Sequence, residues 1–254
     1  MHIVGNGFLA RNLRPLADRH PDTVALAAGV SWASGTREED FARERALLAD
    51  TARRCVATGR RLLFFSTSSA GLYGPLDGPA REDVPVTPST PYGAHKLAQE
   101  DLLRASGADH LILRLSHLVG PGQPDHQLLP TLVRSLREGT VRIHRGATRD
   151  LIAVADVVDI IDRLLALPLR SGTVNVASGR AVPVEEIAGH LRRRMGVTAH
   201  TEYVDAGPVH PHTVSIDTLR ALVPQTAPLG LDPDYPSRIL DGCLAEAGPW
   251  PTPA

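Results

Sequence analysis

The sequence predicts an α/β protein built on a parallel sheet. Apolar segments typical of strands alternate with amphipathic helical segments from residue 2 to about residue 195. A glycine-rich turn, Gly5-Asn6-Gly7-Phe8-Leu9-Ala10, follows the first strand. The apolar run Leu62-Leu63-Phe64-Phe65 is typical of a parallel strand that is buried on both faces. Together these observations favour a doubly wound sheet with helices on either side.

Composition limits the class of protein. The chain has 254 residues, of which 43% are hydrophobic, enough for one large domain or one and a half. A formal net charge of −1 gives no reason to expect a nucleic acid or an anionic membrane as partner. The two cysteines lack disulfide or metal spacing, and no apolar run approaches the roughly 20 residues of a membrane span. We therefore expect a cytoplasmic protein without a signal peptide.

The first element is a strand, a glycine turn and a helix. Ile3 and Val4 form the strand, and a helix is expected from Arg11 to Arg19. Residues 5–10 fit the pattern G-x-G-x-x-A. Its first glycine makes the turn, its second lets a pyrophosphate approach the backbone, and its small third residue lets helix and strand pack. The turn predicts a dinucleotide site.

The second strand departs from what such a site normally contains. Residues 23–29 are predicted as a strand, but no Asp or Glu stands at its end to hold the adenosine ribose. A helix at about 37–58 and the strand at 62–65 follow. The serine-rich stretch 66–74 then lies at the carboxyl end of a strand, which faces the ligand crevice in open α/β sheets.

A helix that begins near Thr90 carries the most informative pair of residues. Thr90 can cap it, Pro91 suits its first position, and Tyr92 and Lys96 lie four residues apart on one face. A free tyrosine has a pKa of about 10. A neighbouring ammonium favours the phenolate and lowers that pKa, so the pair can pass a proton to or from an alcohol oxygen. The same spacing also occurs in helices that merely expose a Tyr/Lys pair. His95 points about 100° away from Lys96 and is given no role.

The later elements continue the alternation. We predict strands at 110–115 and 172–177, a loop at 116–122, and helices at 128–138, 154–167 and 183–195. Arg142 and Arg145 belong to a basic cluster that is typical of a solvated face. Beyond about residue 197 prolines break the chain into short pieces, and residues 205–212 are predicted to face the substrate. His210 and His212 are interpreted as surface residues rather than metal ligands, and no metal is expected.

Taken in order, these stretches resemble the extended short-chain dehydrogenase/reductases, the group of nucleotide-sugar epimerases, dehydratases and reductases. The resemblance covers residue 2 to about 195 and rests on the order and spacing of several short motifs. These are 5–10, 26–29, 66–74, 92–96, 114–121, 149–157 and 175–179. Because 27–29 resembles the family's fourth strand, the resemblance implies a Rossmann-like sheet that lacks one strand-helix-strand segment. It also implies a cofactor domain (1–115 and 147–178) and a substrate-binding lobe (116–146 and 179–254).

The resemblance implies roles for individual residues. Tyr92 is the acid/base, Lys96 lowers its pKa and holds the nicotinamide ribose, and Ser69 binds the reacting oxygen. The substrate would be contacted by Ser69, by His117, where the family usually has an asparagine, and by Arg149, which resembles its diphosphate ligand. The helix at 41–48 lacks the family's asparagine. The cofactor, NADPH or NADH, would be held by Gly5, Asn6, Gly7, Phe8, Leu9, Ala10, Ala27, Ala28, Gly29, Ser66, Thr67, Tyr92, Lys96 and Leu115.

The resemblance also narrows the reaction. Dehydratases of the group place Asp-Glu directly after the catalytic hydroxyl residue, but here Ala70-Gly71 stands there, which argues against a 4,6-dehydratase. A 4-ketoreductase and a 4-epimerase remain. A truncated adenosine site favours the reductase, because a reductase exchanges its cofactor in every cycle. The expected substrate is a nucleotide-activated deoxysugar. A non-catalytic binding or scaffold protein is the alternative from another class, and a homodimer through the helices at 37–58 and 91–106 is expected.

Overall fold

The computed structural model describes residues 1–30, 37–205, 212–230 and 232–246. Its strands are β1 (His2–Val4), β2 (Thr23–Leu26), β3 (Arg61–Thr67), β4 (His110–Leu115), β5 (His117–Val119), β6 (Thr140–His144), β7 (Thr148–Ala153), β8 (Ser171–Val176), β9 (Ala181–Pro183) and β10 (His200–Val204). Its α-helices are α1 (Phe8–Asn12), α2 (Glu38–Thr58), α3 (Ala70–Tyr73), α4 (Pro91–Ala105), α5 (Leu128–Arg137), α6 (Val154–Ala166), α7 (Val184–Met195), α8 (Asp217–Leu222) and α9 (Tyr235–Glu246).

A parallel sheet of five strands, in the order β1-β2-β3-β4-β8, forms the centre of the molecule. The prediction of a Rossmann-like α/β fold is confirmed. The strand order runs in one direction from β1, without the reversal that a complete doubly wound sheet shows. The predicted loss of one strand-helix-strand segment accounts for this, because that segment would extend the sheet beyond β1.

Helices cover both faces of the sheet. On one face α2 and α4 pack on the central strands through residues such as Leu48, Leu62 and Leu103. On the other face α6 packs on them through Ile161 and Leu164. Because both faces are covered, the strands read as continuous apolar runs rather than as an alternation.

Two predictions about local structure were wrong. The first helix begins at Phe8 and ends at Asn12, and a 3₁₀ turn follows at Arg14–Leu16. Pro15 explains the early end, because proline has no N–H and its ring clashes with the carbonyl four residues earlier. Residues 116–122, predicted as a loop, contain the short strand β5, which pairs with β7.

Two small sheets lie outside the central one. β5, β7 and β9 form one sheet, and β6 pairs with β10 in the other. Side chains of α5, α7 and α9 share a core with them. The strand at 148–153 therefore belongs to a small sheet, although the predicted boundary placed it in the cofactor domain. Across the described residues, no helix is both long enough and apolar enough to cross a membrane.

Candidate active site

The glycine turn lies at the carboxyl edge of the central sheet, directly against the end of β2. Gly5 has a φ of +130°, and a Cβ at this position would come within 2.4 Å of the Ala27 carbonyl oxygen. Only glycine permits this approach. Gly7 is exposed and directly precedes α1, and a Cβ there would meet nothing within 4 Å. The turn therefore leaves an open, backbone-lined surface of the kind that a pyrophosphate occupies.

The other predicted residues of the turn divide into supporting and exposed groups. Phe8 and Ala10 are buried, whereas Asn6 is exposed. The guanidinium of Arg14 donates to the Asn6 side-chain oxygen (3.2 Å), and that of Arg11 donates to the Asn6 carbonyl oxygen (3.0 Å). Ala28 and Gly29, beyond the end of β2, are also exposed.

The first turn of α4 is pressed against α3. Thr90 caps α4 as predicted, because its Oγ1 accepts a hydrogen bond from the Gly93 N–H (3.1 Å). A Cβ at Gly93 would lie 2.0 Å from the Gly71 carbonyl oxygen, so the two helices pack at the distance of backbone contact. Ser69 precedes α3, is half-buried and makes no side-chain capping bond. This packing places Ser69 and Tyr92 at the same end of two touching helices.

Lys96 is fully enclosed beneath Tyr92. Its side chain is 3% exposed, and its Nζ lies 5.7 Å from the centroid of the Tyr92 ring. The ammonium donates to Glu44 Oε1 (2.7 Å) and to the Phe65 carbonyl oxygen (3.4 Å). The carboxylate of Glu44 was not predicted as part of the site, because it lies 52 residues away in sequence.

Glu44 on α2 is the centre of a buried polar network. Besides Lys96 it accepts from the Val30 N–H (2.9 Å) and pairs with His95 Nε2 (3.0 Å). Burial raises the pKa of Glu44, but hydrogen bonds from His95 and Lys96 and the Lys96 charge outweigh it and bring the pKa to about 2. A Cβ at Gly29 would lie 2.5 Å from Glu44 Oε1, so a larger residue there would displace the carboxylate from its place beside Lys96.

The prediction that His95 has no role was wrong. Its ring is buried, binds Glu44 and stacks on Phe41 with ring centroids 4.3 Å apart. The helix angle argument failed because α4 buries two faces, one against the sheet and one against α2. Gln99, one turn further on, lies 3.3 Å from His95 Nε2.

Lys96 lowers the pKa of the Tyr92 phenol, as predicted, but two other influences oppose it. Burial raises the pKa of the phenol, Lys96 lowers it and Glu44 raises it, and the net direction is upward from 10.0. The sequence argument considered Lys96 alone. Burial lowers the pKa of Lys96, but Tyr92 and Glu44 outweigh it, and the net direction is also upward. Both groups therefore hold their protons at neutral pH.

A second buried network lies beneath the serine stretch. The Ser66 hydroxyl donates to Glu100 Oε1 (2.5 Å), and the Arg114 guanidinium binds both oxygens of Glu100 at 3.0 and 2.7 Å. Arg114 also donates to the Tyr73 hydroxyl (2.9 Å), which donates to Asn175 (2.8 Å). Ser66 was predicted to hold the cofactor, and its hydroxyl is committed to this network, so the side chain is not available for that contact.

Two further predicted cofactor contacts use their side chains internally. Thr67 Oγ1 accepts a hydrogen bond from the Ser69 N–H (3.2 Å), and the side chain of Leu115 belongs to the central core. Their backbone, rather than their side chains, lies at the edge of the sheet.

His117 on β5 and Arg149 on the neighbouring strand β7 are close enough for the charge of Arg149 to act on the imidazole. The His117 side chain is exposed. Even so, the surrounding protein and, to a smaller extent, the positive charge of Arg149 lower the pKa of His117. The ring is therefore neutral at pH 7. Arg149 is half-buried and donates to the Thr148 carbonyl oxygen (2.7 Å). Arg142 and Arg145 pair with Glu202 (3.4 Å) and Asp205 (3.0 Å). Among the described residues no carboxylate pairs with Arg149.

Asp150, the residue after Arg149, anchors strand β7. Asp150 accepts hydrogen bonds from the N–H and hydroxyl of Ser178 (2.8 and 2.9 Å) and from the Gly179 N–H (2.8 Å). Burial raises the pKa of Asp150 to about 6 despite these bonds. The contact ties β7, which carries Arg149, to the turn after β8.

The predicted substrate loop is described only at its ends, since residues 206–211, including His210, lie outside the described residues. His212 was predicted to be a surface residue, but it is half-buried and its Nε2 lies 2.7 Å from the Ser68 carbonyl oxygen. His212 ends the stretch 205–212 that was predicted to face the substrate, and this contact puts it beside the residue that precedes Ser69. In the described ranges no three His, Cys, Asp or Glu residues are grouped so that they could hold a metal ion.

Comparisons with known proteins identify the family. The sequence model of the NAD dependent epimerase/dehydratase family matches residues 10–177, about two thirds of the chain. The chain belongs to this family, and the predicted membership is confirmed.

Curated relatives lie within the nucleotide-sugar enzymes. A dTDP-6-deoxy-L-talose 4-dehydrogenase (NAD(P)(+)) of Kitasatospora kifunensis is 30% identical over 210 residues, which cover 76% of this chain and 65% of the relative. A UDP-glucose 4-epimerase of Azospirillum brasilense is 30% identical over 184 residues, which cover 62% of this chain and 53% of the relative. The chain thus spans about half to two thirds of these relatives' lengths.

Solved structures confirm the fold. MoeE5 in complex with UDP-glucuronic acid and NAD has a TM-score of 0.77 at 28% identity, and the match covers 92% of this chain and 81% of MoeE5. RMD from Pseudomonas aeruginosa, complexed with NADPH, has a TM-score of 0.77 at 20% identity, covering 96% of this chain and 97% of RMD. The second likeness concerns the fold alone.

Proposed function

We propose that this protein reduces a keto group on a nucleotide-activated deoxysugar, using NADH or NADPH, and that the group reduced is the 4-keto group. The observation that carries the proposal is the buried Lys96 beneath Tyr92, on a helix that touches the segment carrying Ser69. Such a relay serves proton transfer to an oxygen. The residues after Ser69 are Ala70 and Gly71, which offer no acid or base for elimination.

The proposed reduction needs few protein groups besides Ser69, Tyr92 and Lys96. A reduced nicotinamide, when bound, supplies a hydride to the carbonyl carbon. Tyr92 donates its proton to the carbonyl oxygen as that oxygen gains charge, and Ser69 donates a hydrogen bond to the same oxygen. Lys96 keeps a positive charge beneath the phenol and stabilises the phenolate that remains.

The glycine turn leaves room for the pyrophosphate of a nicotinamide cofactor. The part of the crevice expected to hold the adenosine is open. Gly5, Gly7, Ala28 and Gly29 present exposed backbone with almost no side-chain bulk. In the described part of the chain β1 is the edge strand, and no further strand beside it supplies an acid for the adenosine ribose. This openness favours a cofactor that exchanges in every turnover, and it supports both NADH and NADPH.

Arg149 is the proposed ligand of the substrate diphosphate. It lacks a carboxylate partner among the described residues, and a guanidinium fork matches phosphate oxygens. The neutral ring of His117 beside it provides a hydrogen-bonding group for the sugar or the diphosphate without adding charge.

The relatives support a nucleotide-sugar enzyme in general more strongly than a 4-ketoreductase in particular. The 4-dehydrogenase of Kitasatospora acts by name on a dTDP-6-deoxysugar at carbon 4, which is the reverse of the proposed reduction. The test is to incubate the protein with NADH or NADPH and a panel of dTDP-4-keto-6-deoxyhexoses. We expect steady loss of nicotinamide absorbance that the Tyr92→Phe variant does not show. No oxidation of either cofactor across the panel would contradict the proposal.

A 4-epimerase is the second candidate, and the Azospirillum relative supports it. An epimerase returns the hydride to the sugar, so it would invert carbon 4 of a nucleotide sugar with no net consumption of cofactor. Following the sugar by NMR while monitoring the cofactor distinguishes the two reactions.

A non-catalytic scaffold and the oligomeric state can be tested without a substrate. Fluorescence titration with NADH and NADPH should show binding, and absence of binding for both would favour the scaffold.

A homodimer through α2 and α4 stays a prediction. It would give twice the monomer mass, about 54 kDa from 27.2 kDa per chain, in light scattering.

A further inference from the structure

Glu44 places a full negative charge inside the proton relay. Its side chain is 2% exposed, and Oε1 lies 2.7 Å from Lys96 Nζ, the charge that stands beneath Tyr92. An ion pair this short and this dry is stronger than a surface pair, because little water screens it. The positive charge of Lys96 is therefore largely neutralised by Glu44, and its effect on the pKa of Tyr92 is reduced.

The charged and titratable groups around this pair lie on α2 and α4, and neutral backbone groups come from the loop after β2 and from β3. From α2 there is Glu44 itself, and from α4 there are His95 and Lys96, with Glu100 one turn below. The loop after β2 contributes the Val30 N–H, and β3 contributes the Phe65 carbonyl oxygen. Glu100 is itself bound by Arg114 and Arg104 at 2.7 Å, so its charge is offset locally.

We propose that Glu44 is a positioning residue of the relay, which holds the Lys96 ammonium in a buried ion pair so that Tyr92 keeps its proton at neutral pH and works as the proton donor. The proposal rests on the proposed function for the direction of proton transfer. The effect of Glu44 on the pKa of Tyr92 depends only on the contacts described above and not on which reaction the protein catalyses.

The surroundings of Glu44 support a role beyond packing. His95 Nδ1 and Gln99 Oε1 are buried without a hydrogen-bond partner among the described residues. Buried polar atoms are normally paired, and unpaired ones cost stability. The upward direction of the Tyr92 pKa, to which Glu44 contributes, agrees with the proposal.

Removing the charge while keeping the shape tests the idea. In Glu44→Gln an amide oxygen can still accept from Lys96, but the negative charge is gone and the Lys96 charge acts on Tyr92 alone. We expect the midpoint of Tyr92 ionisation to fall by about one pH unit or more, since an uncompensated cation within about 4–6 Å shifts a pKa by this much. The midpoint is read by ultraviolet titration of tyrosinate, as the difference between each protein and the same protein carrying Tyr92→Phe.

Glu39→Gln is the matched control, because Glu39 lies on the same helix but is 80% exposed. We expect no shift of the Tyr92 midpoint in this variant. An unchanged midpoint in Glu44→Gln, or an equal shift in both variants, would overturn the proposal.

The wild-type protein provides a test that needs no variant at position 44. With carbon-13 in the tyrosine rings, the Tyr92 signal, assigned by its loss in Tyr92→Phe, should stay that of the neutral phenol up to about pH 10. A Tyr92 phenolate below about pH 9 would overturn the proposal even if Glu44→Gln does not fold. Neither measurement uses a substrate, so the outcome is independent of whether keto reduction is found.

Discussion

Among the described residues, two buried carboxylates lie at α4, Glu44 packed against it from α2 and Glu100 on α4 itself, and they differ in what surrounds them. Glu100 accepts four hydrogen bonds, from Ser66, Arg104 and twice from Arg114. Its network ends at Asn175, whose amide donates to two backbone carbonyl oxygens at 2.9 and 3.2 Å. Glu44 accepts from Val30, His95 and Lys96, but its network ends at two polar atoms without partners and beneath Tyr92.

On the proposed function, the saturated network is structural and the incomplete one belongs to the site of the chemistry. A saturated network fixes the strands and helices that meet in it, and nothing in it is free to change charge. An incomplete one retains unpaired atoms and a charge beside a titratable phenol, which is where perturbed pKa values and function concentrate. Removal of the Tyr92 hydroxyl should therefore act on activity, whereas substitutions in the Glu100 network should act mainly on stability.

The largest expected effect is on activity at the Glu44 network. Tyr92→Phe removes only the proton donor, and we expect kcat to fall about a thousandfold, equivalent to about 4 kcal/mol. The urea midpoint should hardly change. Tyr203→Phe, at an exposed tyrosine, is the control and should leave kcat unaltered. A kcat for Tyr92→Phe within about threefold of wild type would remove Tyr92 from the mechanism.

A loss of similar size is expected in stability at the Glu100 network. Arg114→Met leaves a fully buried carboxylate without its main cation, and we expect the free energy of unfolding to fall by about 3–4 kcal/mol in urea denaturation. The control is Arg53→Met, whose ion pair with Asp50 is exposed on the arginine side, and it should cost less than about 1 kcal/mol. Equal losses in the two variants would show that the Glu100 network is not special.

The next effect is a dependence of stability on pH. The pKa of Glu44 is depressed from 4.5 to about 2, so its contribution is complete above pH 4.5 and is lost as the pH falls toward 2. A shift of this size corresponds to roughly 3 kcal/mol. The difference in unfolding free energy between wild type and Glu44→Gln, measured in urea at several pH values, should shrink through this window. A difference that is constant with pH would contradict the depressed value.

The smallest effect sharpens the comparison at the substrate end of the crevice. Arg149→Lys keeps the charge but loses the guanidinium fork, and we expect KM for the nucleotide sugar to rise about tenfold, or about 1.4 kcal/mol, with kcat unchanged. Arg142→Lys, an exposed arginine on β6, should change neither constant. A fall in kcat with KM unaltered would assign Arg149 to the reaction rather than to binding.

The short-range features could be predicted from the sequence because their causes are local. Tyr92 and Lys96 lie on one helix face since they are four residues apart, Thr90 caps that helix as expected, and Gly5 occupies a conformation that side chains avoid. Short strands were predicted less well. β5 has three residues, and β10 pairs with β6, which lies about 60 residues earlier in the chain, so neither carries a periodic signal of its own.

What the sequence by itself determined is the family, the α/β architecture with its shortened sheet, and the placement of Tyr92 and Lys96 on one face of α4. What only the tertiary structure decided is the electrostatic state of that pair. Glu44 reaches Lys96 across 52 residues of chain, and His95 is buried because α2 packs on α4. The proton affinity of Tyr92 depends on every charge and on all the water excluded around it, and these are fixed only when distant segments pack together.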